Sequence, residues 1–227
     1  MIKGDRSGWG PVLQGEPGTD RSPTSPCRNP DVQSNMHVDG SRYAATMRLD
    51  TNEHIRRSVG RLGALTGAGL LHALWELPLG IPWPIEQLSL RDLETLREAE
   101  SGWITIECGH VERRYRPPGR VVTVMTSDRS LAGAVKRVSS HPPTVQRIAL
   151  WTRESQRPYR NIAFTVDLAK ERGIGIIVEA GGDREVLVSP RAAVIGRPSI
   201  YRWWQAELVY RNWLMSTPPT GSIAPSA

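Results

Sequence analysis

One phenylalanine and two cysteines in 227 residues are the first scarcities of this chain, and the cysteines exclude the most. Cys27 lies in a Pro/Ser-rich stretch and Cys108 far from it, so neither a disulfide framework nor a four-cysteine zinc site can be built. Cys108-Gly109-His110 offers two metal ligands, but no second pair at a suitable spacing completes a tetrahedron, and both cysteines read as free thiols. Long hydrophobic runs are also missing. The longest, Leu62 to Trp75, falls short of the roughly 20 residues of a membrane span and is interrupted by His72 and glycines. No apolar stretch with a small-residue cleavage site follows Lys3, so the expected location is a bacterial-type cytoplasm. There is no G-x-x-x-x-G-K-[ST] phosphate loop, and Gly173-x-Gly175 lacks the third glycine and following helix of a dinucleotide site. No cofactor is expected.

Positive charge is present, and it is uneven. Of the net +6, residues 113–227 hold eighteen Lys and Arg against eight Asp and Glu, so the surplus sits in the second half. Arginine dominates there, and its planar fork donates in pairs to phosphate oxygens. The candidate nucleic-acid contacts are Arg113, Arg114, Arg116, Arg120, Arg129, Lys136 and Arg137. Arg202, Trp204 and Arg211 join them on a terminal run, 198–215, that also carries Tyr201, Trp203, Tyr210 and Trp213. Such a run can stack bases or dock a partner, including a second copy of the chain; it can equally pack on a core. A solvated arginine-rich surface is the bland alternative for the basic residues.

Along the chain, residues 1–51 are rich in Gly, Pro, Ser and Thr, carry charges of both signs and show no evident apolar period. They read as a disordered tail, as do residues 217–227. A single α/β domain is expected over 52–216. Its entry, 52–101, is helical: Ile55, Val59, Leu62, Leu70, Leu74 and Leu77 recur at near-helical spacing until Pro82 and Pro84. Ser89 and Asp92 form a capping box ahead of Leu90, Leu93 and Leu96. After Gly102 the period shortens. Trp103–Glu107, Val111–Arg116 and Arg120–Met125, the last two separated by Pro117-Pro118-Gly119, read as three strands of an antiparallel meander. A helix over 131–138 capped by Asp128 or Ser130 follows, then a buried strand over 147–151. A helix over 161–172 closes on Gly173, and strands over 174–179 and 185–188 complete the set. Ser139-Ser140-His141 reads as a polar helix end rather than a nucleophile and its base.

The order from residue 90 is helix, three strands, helix, strand, helix, strand. Three segments carry a resemblance: Arg120–Ser130 with the helix after it, Gln146–Trp151, and Leu168–Val178 with Glu185–Pro190. Over about 100 residues this pattern resembles the restriction-endonuclease-like, or PD-(D/E)xK, superfamily. The resemblance implies a mixed sheet over 102–190 and divalent-metal chemistry from acids on adjacent strands, with a lysine two positions after the second acid. At the matching place in the third strand stand Thr123 and Met125. A hydroxyl and a thioether cannot replace carboxylate and ammonium, so the expectation is a catalytically degenerate nuclease-fold protein that binds nucleic acid, DNA preferred. A DNA-binding regulator or a mobile-element accessory factor fits that description. The alternatives are a Mg²⁺-dependent nuclease with relocated acids at Glu98, Glu107 and Glu112, with Glu100 nearby, or a protein-interaction module that binds no nucleic acid.

Overall fold

Residues 31–49, which composition places in the tail, form the first two strands of the computed structural model. It describes residues 29–38, 41–128, 130–152, 162–194, 196 and 198–217. Strand β1 (Asp31–Val38) pairs antiparallel with β2 (Ser41–Leu49). Their alternation is the reason: Val32, Ser34 and Met36 on β1 and Ala45, Met47 and Leu49 on β2 are buried, while the residues between them face away. A weak mean hydropathy therefore hides a period of two.

β6 (Gly119–Ser127) pairs antiparallel with β2, and β7 (Gln146–Thr152) and β8 (Gly175–Ala180) continue in parallel. β9 (Asp183–Val188) closes the sheet antiparallel, giving six strands in the order β1-β2-β6-β7-β8-β9. The crossovers are α4 (Leu131–Val138) and α5 (Ile162–Arg172). Ser130 caps α4 by accepting from the Gly133 N–H, an arrangement worth about 1 kcal/mol. Gly173, at φ 67°, closes α5 in the left-handed region, where L side chains are disfavoured.

Among the described residues, the helices against this sheet lie on one side. α4 and α5 bury Leu131, Ala134, Val135, Val138 and Ala169 on Ala149, Trp151, Ile176 and Val178. The terminal helix α6 (Ile200–Ser216) lays Ala206, Val209 and Tyr210 on β1, β2 and β6. The register shift at Thr46/Met47 inserts Val122 opposite no partner. Val121 and Val124, an odd number of residues apart, thereby both reach the α6 side.

The expected three-strand meander does not form. β4 (Ile104–Glu107) and β5 (His110–Arg113) join the two-residue strand β3 (Trp83–Pro84) in a separate antiparallel sheet, order β3-β5-β4. The third strand, β6, takes β2 and β7 as neighbours instead. The physical reason is a second core. Ile104, Val111 and Tyr115 turn into the same apolar cluster as Leu71, Leu74 and Leu96, and this fixes the small sheet on its own helices. The near-helical run from 55 to 77 is likewise two helices, α1 (Thr51–Val59) and α2 (Ala68–Glu76), separated where Gly60, Gly63 and Gly67 weaken propensity. α3 (Leu90–Arg97) has its capping box: Ser89 Oγ accepts from the Asp92 N–H at 3.1 Å and donates to the Asp92 carboxylate at 2.6 Å.

A buried ionic cluster joins the two cores. Arg57 of α1, fully buried, donates to Glu53 Oε1 at 2.8 Å and to both oxygens of Glu207 of α6 at 2.8 and 2.9 Å. Glu207, also fully buried, further accepts from Tyr115 Oη at 2.6 Å and from the Leu65 N–H at 2.7 Å. The guanidinium carbon of Arg57 lies 4.9 to 5.3 Å from the ring centres of Trp103, Tyr115 and Tyr210. Burial alone disfavours the charge on Arg57, but its bonds to Glu207 and Glu53 outweigh that and raise its pKa above the ordinary value. Burial, followed by the charge and hydrogen bond of Glu207, raises the Tyr115 phenol.

Candidate functional site

Because α4, α5 and α6 occupy one side of the six-stranded sheet among the described residues, its other side forms most of the floor of a groove of about 950 Å³ that also reaches Asn212 and Ser216 of α6. The pairing register arranges this floor in rows. At one end Asp31, Arg48 and Arg120 are direct cross-strand neighbours on β1, β2 and β6. The next row is Gln33, Thr46, Thr123 and Gln146, and Thr123 Oγ1 donates to Gln146 Oε1 at 3.3 Å. Then come Asn35, Ala44, Met125 and Ile148, and last Leu150, Ile177 and Val186. All of these line the groove. Ile148, Leu150 and Ile177 pack together with Met125 beside them as a small apolar cluster of this face alone. Arg48 shares Asp31 at 3.2 Å and Arg184 shares Glu179 at 3.0 Å. Arg120 is exposed and has no ion-pair or hydrogen-bond partner for its side chain among the described residues.

A second, smaller cleft of about 360 Å³ lies at the junction of α1 and the small sheet, lined by Asn52, Glu53, Arg56, Arg113, Arg114 and Arg116 with Glu112. Arg56 is held across the Glu53 carboxylate at 2.7 and 2.8 Å and donates to the Gly102 carbonyl. Arg114 and Arg116 are exposed and alternate with the buried Tyr115, so both leave the same side of an extended segment.

The basic residues expected to contact nucleic acid do not all converge. Arg113 is buried, donates to the Leu74 carbonyl at 2.7 Å and sits 4.9 Å from the Trp203 ring; burial lowers its pKa. It is a packing residue, and its Nε has no partner among the described residues. Arg114 and Arg116 share the small cleft, and Arg120 lies in the sheet groove. Lys136 and Arg137 are exposed on α4, Arg137 paired with Asp128 at 2.9 Å, and Arg211 is exposed on α6. Arg202 is half-buried and donates to the Gly196 carbonyl. Trp204 is half-buried on the second core and tilted against Tyr201. Arg129 lies outside the described residues.

The candidate acids are also spread. Glu98 ends α3, whereas Glu107 and Glu112 sit on β4 and β5, opposite His110 and Thr105. Neither strand belongs to the sheet of Thr123. Among the described residues no three His, Cys, Asp or Glu side chains come together as a metal site. Cys108 is an exposed free thiol at the β4–β5 turn, where it and Gly109 have positive φ; Cys27 lies outside the described residues. Ser139 and Ser140 donate to carbonyls of α4, as a polar helix end should.

His141 packs between β2 and α6. Its ring is 5.0 Å from that of Tyr43, its Nδ1 lies 3.3 Å from Gln205 Nε2, and its buried Nε2 has no partner among the described residues. Burial, then the positive charge of Arg147, lowers its pKa.

The groove was missed in the sequence because half of it is built by β1 and β2. The signal available was the alternation Val32, Ser34, Met36 and Ala45, Met47, Leu49 on either side of Asp39-Gly40, a dipeptide typical of hairpin turns. No family model matches the chain, and no curated protein or solved structure matches it either. Among the described residues no helix is long and apolar enough to cross a membrane.

Proposed function

We propose that this is a catalytically degenerate nuclease-fold protein that binds nucleic acid, DNA in preference, through the basic cleft between α1 and the small sheet. The observation that carries the binding is the cleft lining, where Arg114 and Arg116 stand exposed on one side of a segment with Arg56 across from them. Guanidinium groups two residues apart on one side of an extended segment suit successive phosphate oxygens. The nuclease-like reading draws on the strand order. Leaving out residues 50–118, which hold α1 to α3 and the small sheet, β1, β2, β6, α4 and β7 run strand-strand-strand-helix-strand, with the hairpin in the place first given to β4 and β5. In that order β6 is still the third strand, and Thr123 and Met125 face the groove where the family would need its acid and lysine. A regulator of DNA or a mobile-element accessory factor remains the role this fits.

Fluorescence anisotropy with labelled duplex DNA at low salt tests it. Binding should weaken steeply as salt rises, because each phosphate contact releases a condensed counterion. Arg114→Glu with Arg116→Glu should weaken it at least tenfold, since a charge-assisted contact contributes about 1.5 kcal/mol or more. Wild-type protein that binds neither DNA nor RNA at low salt overturns the reading. Mg²⁺- or Mn²⁺-dependent cleavage lost on Glu107→Gln would favour the relocated-site nuclease instead.

A further inference from the structure

We propose that the groove on the helix-free side of the main sheet binds a small amphipathic anion, with its carboxylate or phosphate head at Arg120 and Arg48 and its apolar body over Met125, Ile148, Leu150 and Ile177. This site is separate from the basic cleft and does not depend on nucleic-acid binding. Its ligand class is read from the order of the rows. Unpaired positive charge occupies one end, amides and hydroxyls the next row, and hydrocarbon beside Asn35 the middle, while Arg184 at the far end is already held by Glu179. From Arg120 to the end of β6 is roughly 20 Å at about 3.3 Å per residue, room for a head and a body of medium length.

Four further observations narrow the occupant. Strands β6, β7 and β8 are parallel, and parallel strands are ordinarily covered on both faces; here the described helices cover only one. The volume of about 950 Å³ lies within the range of small-molecule sites. The charged end holds Arg48 and Arg120 against the single carboxylate of Asp31, already bound to Arg48, so the charge left over is positive. A cationic head would meet repulsion there. Among the described residues no aromatic side chain lines the groove to offer nucleobases a stacking platform, and an aliphatic or compact apolar body suits Met125 and the isoleucines better.

Isothermal titration of the full chain with decanoate, decyl phosphate, decyltrimethylammonium and decanol, each below its micelle concentration, tests the assignment. One molecule of decanoate or decyl phosphate should bind per chain, and the tighter of the two identifies the head. The cation should bind at least tenfold more weakly. Arg120→Glu, at an exposed position, should weaken the anions about tenfold or more. Ala44→Trp, which fills the middle of the groove, should abolish binding in protein that melts like wild type. Arg211→Glu, outside the groove, should leave the affinity unchanged. No anion binding, many equivalent weak sites, equal affinity for the cation, or an unaltered affinity in Arg120→Glu would each overturn the proposal.

Discussion

Replacing Glu207 by alanine removes the acceptor on which four donors converge: Arg57 Nη1 and Nη2, Tyr115 Oη and the Leu65 N–H. Arg57 would keep Glu53 as its only carboxylate, with no water contact of its own in the native packing. Breaking a buried pair by deleting one partner costs about 3–5 kcal/mol. The phenol and the amide each add roughly 1–3 kcal/mol if left without an acceptor. The sum is a loss of at least about 5 kcal/mol, most of the stability of an ordinary domain. Glu207→Gln keeps the volume and part of the hydrogen bonding, so its loss should be about 3 kcal/mol or less. Pairing Glu207→Leu with Arg57→Met removes both charges together and should recover much of the loss, because the isolated cation is the expensive species. Urea unfolding followed by tryptophan emission reads all three, since Trp103 and Trp203 both sit against the Tyr115 ring. A loss below about 1 kcal/mol in Glu207→Ala would show that the cluster does not hold α1 and α6 together, and the reasoning would fail.

The buried histidines and the start of β6 give two further outcomes. His141 has its pKa lowered by burial and then by Arg147, and His54, between Tyr210 and Trp213, by burial and then by Arg57. Their folded pKa values lie below the unfolded value of about 6.5, so stability is full above that pH and declines as pH falls through the folded values. Urea midpoints should drop between pH 7.5 and 5, and His141→Gln should flatten that slope; an unchanged slope would remove His141 from the account. Gly119 begins β6 opposite Leu49, and a Cβ there would overlap the Arg48 carbonyl oxygen. Gly119→Ala should therefore lower stability by about 1–3 kcal/mol in thermal melts, and a neutral result would mean that β2 and β6 part without cost.

Much of the fold is legible where local chemistry and tertiary packing agree. Ser89 with Asp92, Ser130 before Leu131, and Gly173 after α5 mark real helix ends, and the apolar runs of β7 and β8 are inner strands. The errors arose where pairing over long distances decides. β1 and β2 have few large apolar residues, and their stability comes from β6 and α6, 70 or more residues away. β4 and β5 look like neighbours of β6 in sequence, yet Val111 and Tyr115 belong to a core that only the fold assembles. The arginine surplus was legible as a count, but not that Arg113 would be spent on Trp203 while Arg114 and Arg116 stay outside. Thr123 and Met125 were legible as residues of a strand, whereas the groove they line needed the hairpin.

The place of α6 after every described strand orders events during synthesis. Its first turns seat in one core and its middle in the other, and it carries the carboxylate that Arg57 requires. A nascent chain stalled before Ile200 has made every strand, yet holds a cation with half its partners and a sheet with α6's bed still wet. Final closure must therefore wait until α6 itself clears the ribosome, making the helix a late latch rather than a nucleus. Protease sensitivity of such stalled chains, lost on release, is the expected sign of that order.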